Sequence, residues 1–287
     1  MDLDEIRRTT IIALFADDKL IDQIVLKGGN ALSLIHGLSS RTSVDLDFSI
    51  DKDFEDVEDI KHRIFRSLKK RFEAKGYTVF DERFEAKPRI YGRDERPWWG
   101  GYELSFKIIE RERQAKLKNN RKMMQKGAIP VTRDQKRTFT VDLSKHEYVK
   151  GKVATELDNY TIYVYTPEML VAEKLRAICQ QMPEYEPKGK RKPRARDFYD
   201  IHAAIIESEI DLSTDENRQL IRSVFSAKRV SLNLLGLIDR EREFHRPDWP
   251  SVVSATQGEV EGFDVFFDFV LGCVSQLETL WKENPPL

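Results

Sequence analysis

The chain has 287 residues, 40% of them hydrophobic, enough to bury a core in one large domain or, as the length favours, two modest ones. Its 48 Lys and Arg nearly cancel 49 Asp and Glu, which excludes a globally cationic nucleic-acid coat and an acidic disordered chain, so any nucleic-acid contact must come from local basic patches. No apolar run approaches the roughly 18 residues a membrane span needs, the opening MDLDEIRR lacks a secretory-type apolar segment, and Cys179 and Cys273 lie far apart outside any Cys/His cluster, so a cytoplasmic protein with reduced thiols and no zinc site is expected.

Residues 4–16 mix apolar and charged side chains at helical spacing. IVLKGGNALSLIHG then reads as a short apolar strand, a Gly-Gly turn and a short helix stopped at Gly37. RTSVDLDFSI alternates Val44, Leu46 and Phe48 with Ser43, Asp45 and Asp47, the period of a strand. A long helix follows, with Val57, Ile60, Ile64, Leu68 and Phe72 on one face and Gly76 closing it. YTVF, YELSFKII, RTFTVDL and TIYVY are further strands, aromatic or β-branched and bounded by turn-forming or charged segments. From Thr166 and Pro167, an N-cap and first-turn pair, only helices are expected, over 167–181, 196–209, 215–230 and 262–282. The fold class is thus α+β: a mixed-sheet domain over residues 1–165, then a helical domain over 166–287.

Four constellations bear on chemistry. In Lys27-Gly28-Gly29-Asn30, two glycines between a strand and a helix let backbone amides approach an anion, although such a pair is more often a bare tight turn. Neither a P-loop nor a dinucleotide-binding fingerprint is present. Asp45 and Asp47 share one face of their strand, where a hard divalent cation would relieve their repulsion; the plain reading is two solvated acids. Asp142, bracketed by Val141 and Leu143, is the preferred third carboxylate, with Glu103 the alternative. If the strands neighbour each other, three carboxylates could hold two Mg²⁺ ions for in-line nucleotidyl transfer.

Further on, Lys174 edges the stripe of Val171, Leu175 and Ile178, either snorkelling or binding a triphosphate as a point charge. Against the stripe of Phe198, Ile201 and Ile205, Asp197 falls roughly 40° from Ile201 and Asp200 about 100° away. Asp197 is therefore expected to face a cleft and position Lys174, and Asp200 to be an outer-face or capping residue. Last, basic residues crowd 111–126 and 188–196. A charge run is usually a solvated face, but two dense runs in a neutral chain also suit a polynucleotide. The five histidines show no metal-ligand spacing.

KGGNALSLIHGLSSRTSVDLDF and VAEKLRAICQQ…RARDFYDIHA together resemble the nucleotidyltransferase toxins of abortive-infection systems, the AbiEii/AbiGii type. That family's pattern is a hydrophobic-KGG-[TN]-AL turn, R-[TS]-[TS]-x-D-[LI]-D-F, a strand Asp, an EKL helix and a [RK]-D-x-x-D-[LI] helix, all present in order across residues 24–206. The resemblance implies a polymerase-β-like nucleotidyltransferase fold with a helical C-terminal domain, NTP and Mg²⁺ binding, a toxin partnered by an antitoxin encoded beside it, and an acceptor such as the 3′ end of tRNA. Residue by residue it implies that Gly28, Gly29 and Asn30 hold the triphosphate with Lys27 and Arg41, and that Asp45, Asp47 and Asp142 hold metal. Lys174 and Asp197 are the Lys and Asp of the C-terminal motifs. The Pro- and Lys-rich insertion at 182–194 departs from the pattern and leaves substrate choice open. An active nucleotidyltransferase is favoured; a phosphotransferase acting on a protein and a nucleotide-binding module without catalysis are the alternatives, and the intact Asp45/Asp47 pair argues for the enzyme.

Overall fold

The computed structural model of the protein describes residues 1–40, 43–88, 98–132, 135–185 and 190–282. They divide into two compact units, Met1–Leu26 with Val44–Val164, and Lys27–Ser43 with Tyr165–Leu287. The segment that carries the glycine turn therefore groups with the helical part of the chain, whereas the sequence places all of 1–165 in one domain.

The first unit is a seven-stranded mixed sheet. Its strands are β1 (Ile24–Lys27), β2 (Leu46–Ile50), β3 (Tyr77–Lys87), β4 (Gly101–Glu110), β5 (Phe139–Ser144), β6 (Val153–Leu157) and β7 (Tyr160–Val164), in the order β3-β4-β5-β2-β1-β7-β6. The β1–β7 and β2–β5 pairs are parallel; β3–β4, β4–β5 and β6–β7 are antiparallel. Two helices cover one face. Helix α1 (Leu3–Phe15) starts from a capping box of Asp2 and Glu5, and α2 (Val57–Ala74) from Asp56, and α2 buries Ile60, Ile64, Leu68 and Phe72. Phe15 meets Phe48 at 6.0 Å and Phe72 meets Phe106 at 5.8 Å, so the apolar side of the β2 and β4 alternation is the helix-covered side. Asp47, Asp142 and Glu103 consequently point from the opposite face.

Two features of this sheet differ from the sequence reading. β3 continues to Lys87 because a bulge between Phe80 and Arg83, with Asp81 at φ 55°, resets its alternation. β6 is an additional strand, an edge on which Val153, Ala154 and Glu156 are exposed and only Leu157 is buried, closed onto β7 by Asp158 and Asn159, both at positive φ as a two-residue hairpin turn requires. Beyond the bulge, on the face of Glu103 and away from α1 and α2, Phe80 and Ile109 pack with Met124 and Ala128. This small cluster anchors two short helices, Arg111–Lys116 and Arg121–Gly127, where the sequence shows only a charge run.

The second unit is helical. Helix α3 (Pro167–Cys179) begins at Thr166, whose side chain accepts from the Met169 amide at 3.3 Å. It buries residues all round, the mark of a central helix. Around it pack α4 (Ala195–Glu207) and α5 (Asp215–Ala227), while α6 (Phe263–Ser275) stacks Phe267 on Phe198 of α4 at 4.9 Å. The helix expected over 262–282 ends at Ser275, and Thr279–Lys282 is a separate turn of helix. A 3₁₀ segment, Leu232–Glu241, and the short helix Trp249–Ala255 were not legible as periodic patterns. Cys179 and Cys273 are free and buried.

Candidate functional site

In the first unit, parallel register sets Asp47 beside Asp142, and antiparallel register sets Asp142 beside Glu103. Register partners on neighbouring strands lie about 4.8 Å apart, so three carboxylates stand in a row on the face away from the helices. Asp45 immediately precedes β2. The row is partly solvated: Asp142 and Glu103 retain 38% and 31% of their side-chain exposure. Lysines supply the counter-charge. Lys87 Nζ bonds Glu103 and lies 3.0 Å from Asp142, and Lys136 Nζ is 3.9 Å from Asp45. Burial would lower the Lys87 pKa, but its bonds to Glu103 and Asp142 outweigh that and raise it. The preferred third acid and its alternative thus share one cation, a residue the sequence reading did not single out.

Carboxylate oxygens side by side are the donor set a hard divalent cation takes, so the chemistry of Asp45, Asp47 and Asp142 fits Mg²⁺. They are not drawn into a cage: among the described residues, no group of three or more His, Cys, Asp or Glu is arranged to hold a metal ion.

In the second unit, Gly28 has φ 72°, a left-handed conformation that favours glycine, and Gly28–Asn30 form a single helical turn followed by a π-helical turn, Ala31–Ile35. Lys27 is buried, with its Nζ 3.5 Å from Glu173 Oε1, and Glu173 is also 3.3 Å from Arg176. Arg41 lies outside the described residues. Lys174 is buried as well. Its ammonium donates to Asp200 at 2.7 Å and to Asp197 at 3.2 Å, and Asp197 also bonds Arg194. The expectation that Asp200 lies on an outer face is corrected here: Asp200 is 0% exposed and Asp197 1%. Both acids serve one lysine, and this lysine is not extended into solvent as a point charge. Burial would raise the Asp197 carboxyl, but Arg194, Lys174 and Arg196 hold it well below the usual carboxylate range.

The same network reaches His245, fully buried, whose Nδ1 accepts the Arg194 backbone N–H at 2.9 Å, which leaves the ring proton on Nε2. Burial, reinforced by Arg194 and Arg191 against the pull of Asp197, lowers its pKa from 6.5 to about 4. The unfolded chain therefore takes up this proton before the folded one. The stability contribution is complete above pH 6.5 and is lost as pH falls from 6.5 through 4, about 3 kcal/mol at 1.4 kcal/mol per unit. Urea unfolding at pH 7.5, 5.5 and 4.5 should show this loss, and His245→Gln should flatten it; an unchanged slope in that variant places the acid sensitivity elsewhere.

The basic runs differ in how far they are engaged. All seven cations between 111 and 126 are exposed, although Arg121 bonds Asp81 at 2.7 Å. In the second run Lys188 lies outside the described residues, Lys190, Lys192 and Arg196 are exposed, and Arg191 and Arg194 are committed within the unit. Arg191 pairs with Glu241 and sits over the Phe244 ring at 3.9 Å. No described helix is long and apolar enough to cross a membrane.

A family model described as nucleotidyl transferase AbiEii toxin, type IV toxin–antitoxin system, matches residues 12–268. Among solved structures, JHP933 from Helicobacter pylori is 17% identical with a TM-score of 0.46, covering 98% of this chain and 93% of its own. An antigenic nucleotidyltransferase-like protein from Paracoccidioides brasiliensis is 16% identical with a TM-score of 0.35, covering 89% and 96%. No curated protein sequence matches at a significant level.

Proposed function

We propose, since the chain belongs to the AbiEii nucleotidyl transferase toxin family of type IV toxin–antitoxin systems, that it transfers a nucleotide from an NTP to the 3′ end of tRNA or another RNA, in the cytoplasm and under the control of a cognate antitoxin. The observation that supports this most is the register of Asp47 against Asp142 on the face away from the helices. Asp45, Asp47 and Asp142 would hold Mg²⁺, which when bound supplies Lewis-acid stabilisation of an in-line displacement. Amides of Gly28 and Gly29, with Asn30, Lys27 and Arg41, would hold the triphosphate. Glu173 fixes Lys27 beside that turn, and Lys174, through Asp197 and Asp200, pins α3 to α4 behind it. The exposed cations of 111–126 rise from the same face of the sheet as the acids, where phosphates of an acceptor RNA would be neutralised.

Incubation with each labelled NTP and total tRNA, with and without a chelator, tests the reading. Label at a tRNA 3′ end that disappears with the chelator is expected. Label on a protein instead supports the phosphotransferase, and NTP binding without any transfer supports the inactive module.

A salt titration separates the basic runs. Replacing Lys190, Lys192 and Arg196 together with Ser should weaken RNA binding and flatten its log–log salt slope by roughly 0.7–0.9 for each phosphate that is no longer neutralised, with NTP affinity kept. Arg191 is left in place because its partners are Glu241 and Phe244. An unchanged slope assigns the RNA to 111–126.

A further inference from the structure

On the outer side of α4 lies a cavity of about 550 Å³, lined within the second unit by α4, the turn after Gly37, residues 256–261 and the start of α6. Tyr199, His202 and Ile206 reach it from α4 at spacings of three and four, one face of the helix. Packing fixes its walls. The Tyr199 hydroxyl bonds Ser40 at 3.0 Å, and the His202 ring meets Phe266 and Phe269 edge-on at 5.0 and 4.5 Å. The floor is aliphatic and aromatic, with Leu38, Val260 and Phe266, and Ile206 at the edge stays 52% exposed. Val253 and Val265, on neighbouring helices of the same unit, are also exposed apolar residues.

The charge is one-sided. Glu207, Glu259 and Glu261 are exposed at the cavity, and among the described residues no lysine or arginine lines it. Burial lowers the His202 pKa against the opposing pull of Glu261, so the imidazole adds no cation at neutral pH. Three carboxylates with no counter-cation among the described lining residues repel a phosphate, which disfavours a nucleotide or an RNA strand here. They attract an ammonium or guanidinium, whose aliphatic stem would lie on Leu38 and Ile206 while its charge meets aromatic faces and carboxylates.

We propose that this cavity docks a partner protein through a segment that presents a lysine or arginine flanked by aliphatic side chains. The surface serves recognition and takes no part in nucleotide transfer, so it stands or falls apart from the proposed reaction.

The test uses the whole chain and three fluorescein-labelled peptides of equal length, one alternating lysine and leucine, one lysine and glycine, one glutamate and leucine. The lysine–leucine peptide should bind tightest and slow amide exchange over 199–207 and 256–261. Glu207→Gln, Glu259→Gln and Glu261→Gln combined should weaken it about tenfold, the sum of three exposed ion pairs. Ile206→Ser should weaken it several-fold, and both variants should keep NTP affinity unchanged. No binding, equal binding of the lysine–glycine peptide, an unchanged Kd in the triple variant, or exchange protection confined to other segments would each overturn the proposal. So would protection of the same segments by a single-stranded RNA.

Discussion

Lys174→Met is expected to lower unfolding stability by about 3–5 kcal/mol, because it strips the shared cation from two buried carboxylates, Asp197 and Asp200. The methionine fills nearly the same length in α3, so the loss reports charge rather than volume. Equilibrium urea unfolding measures it directly. Adding Asp200→Asn should recover a substantial part, since it removes one of the two buried negative charges that Lys174 neutralises, while Asp197 keeps Arg194. A lysine that only lay along an apolar surface would give a loss below about 1 kcal/mol and no recovery. That smaller result would remove Lys174 from the structural role assigned to it and return it to the triphosphate.

Asp47→Ala is expected to reduce nucleotidyl transfer by about 100-fold or more, the scale on which removal of one preorganised charge-stabilising group acts. The fold should be untouched. Asp47 is only partly buried and stands beside the carboxylate of Asp142, so its loss relieves repulsion between like charges. Labelled-NTP transfer gives the activity, and a melting curve gives the stability. Binding of Mn²⁺, followed by its paramagnetic signal, gives a reading independent of turnover and should weaken with the same substitution. Full transfer by the variant would contradict the assignment of metal to this row; weakened Mn²⁺ binding with no transfer by the unsubstituted protein would keep the metal site and overturn the reaction.

Much of this is legible in the chain itself. Alternation in VDLDFSI put Leu46 and Phe48 toward a core and Asp47 on the other side, and the period of Ile60, Ile64, Leu68 and Phe72 defined α2, because both patterns are local consequences of chain geometry. The ordered motifs from the glycine turn to RDFYD pointed to the family for the same reason: each is a short run whose residues need no knowledge of their neighbours in space. Element ends were also local where a side chain caps the helix, as Thr166 does for α3.

Four things were decided only by tertiary structure. Which acid stands beside Asp47 depends on the register of two strands far apart in sequence, and that register brought Asp142, Glu103 and Lys87 into one row. β6 owes its existence to pairing with β7, since the five residues VATEL show no regular apolar–polar alternation of their own. The glycine turn groups with the helices because Lys27 pairs with Glu173 and His36 with the Tyr165 carbonyl, pairings that close over more than a hundred residues. Asp200 was misplaced because a helical wheel anchored on one apolar stripe assumes a single buried face, whereas α4 is covered by α3 on one side and by the aromatic residues of α6 on another. A buried charge is stable only when a partner meets it, and Lys174 finds both of its carboxylates across the packing of α3 against α4, while Asp197 also takes Arg194 from its own segment.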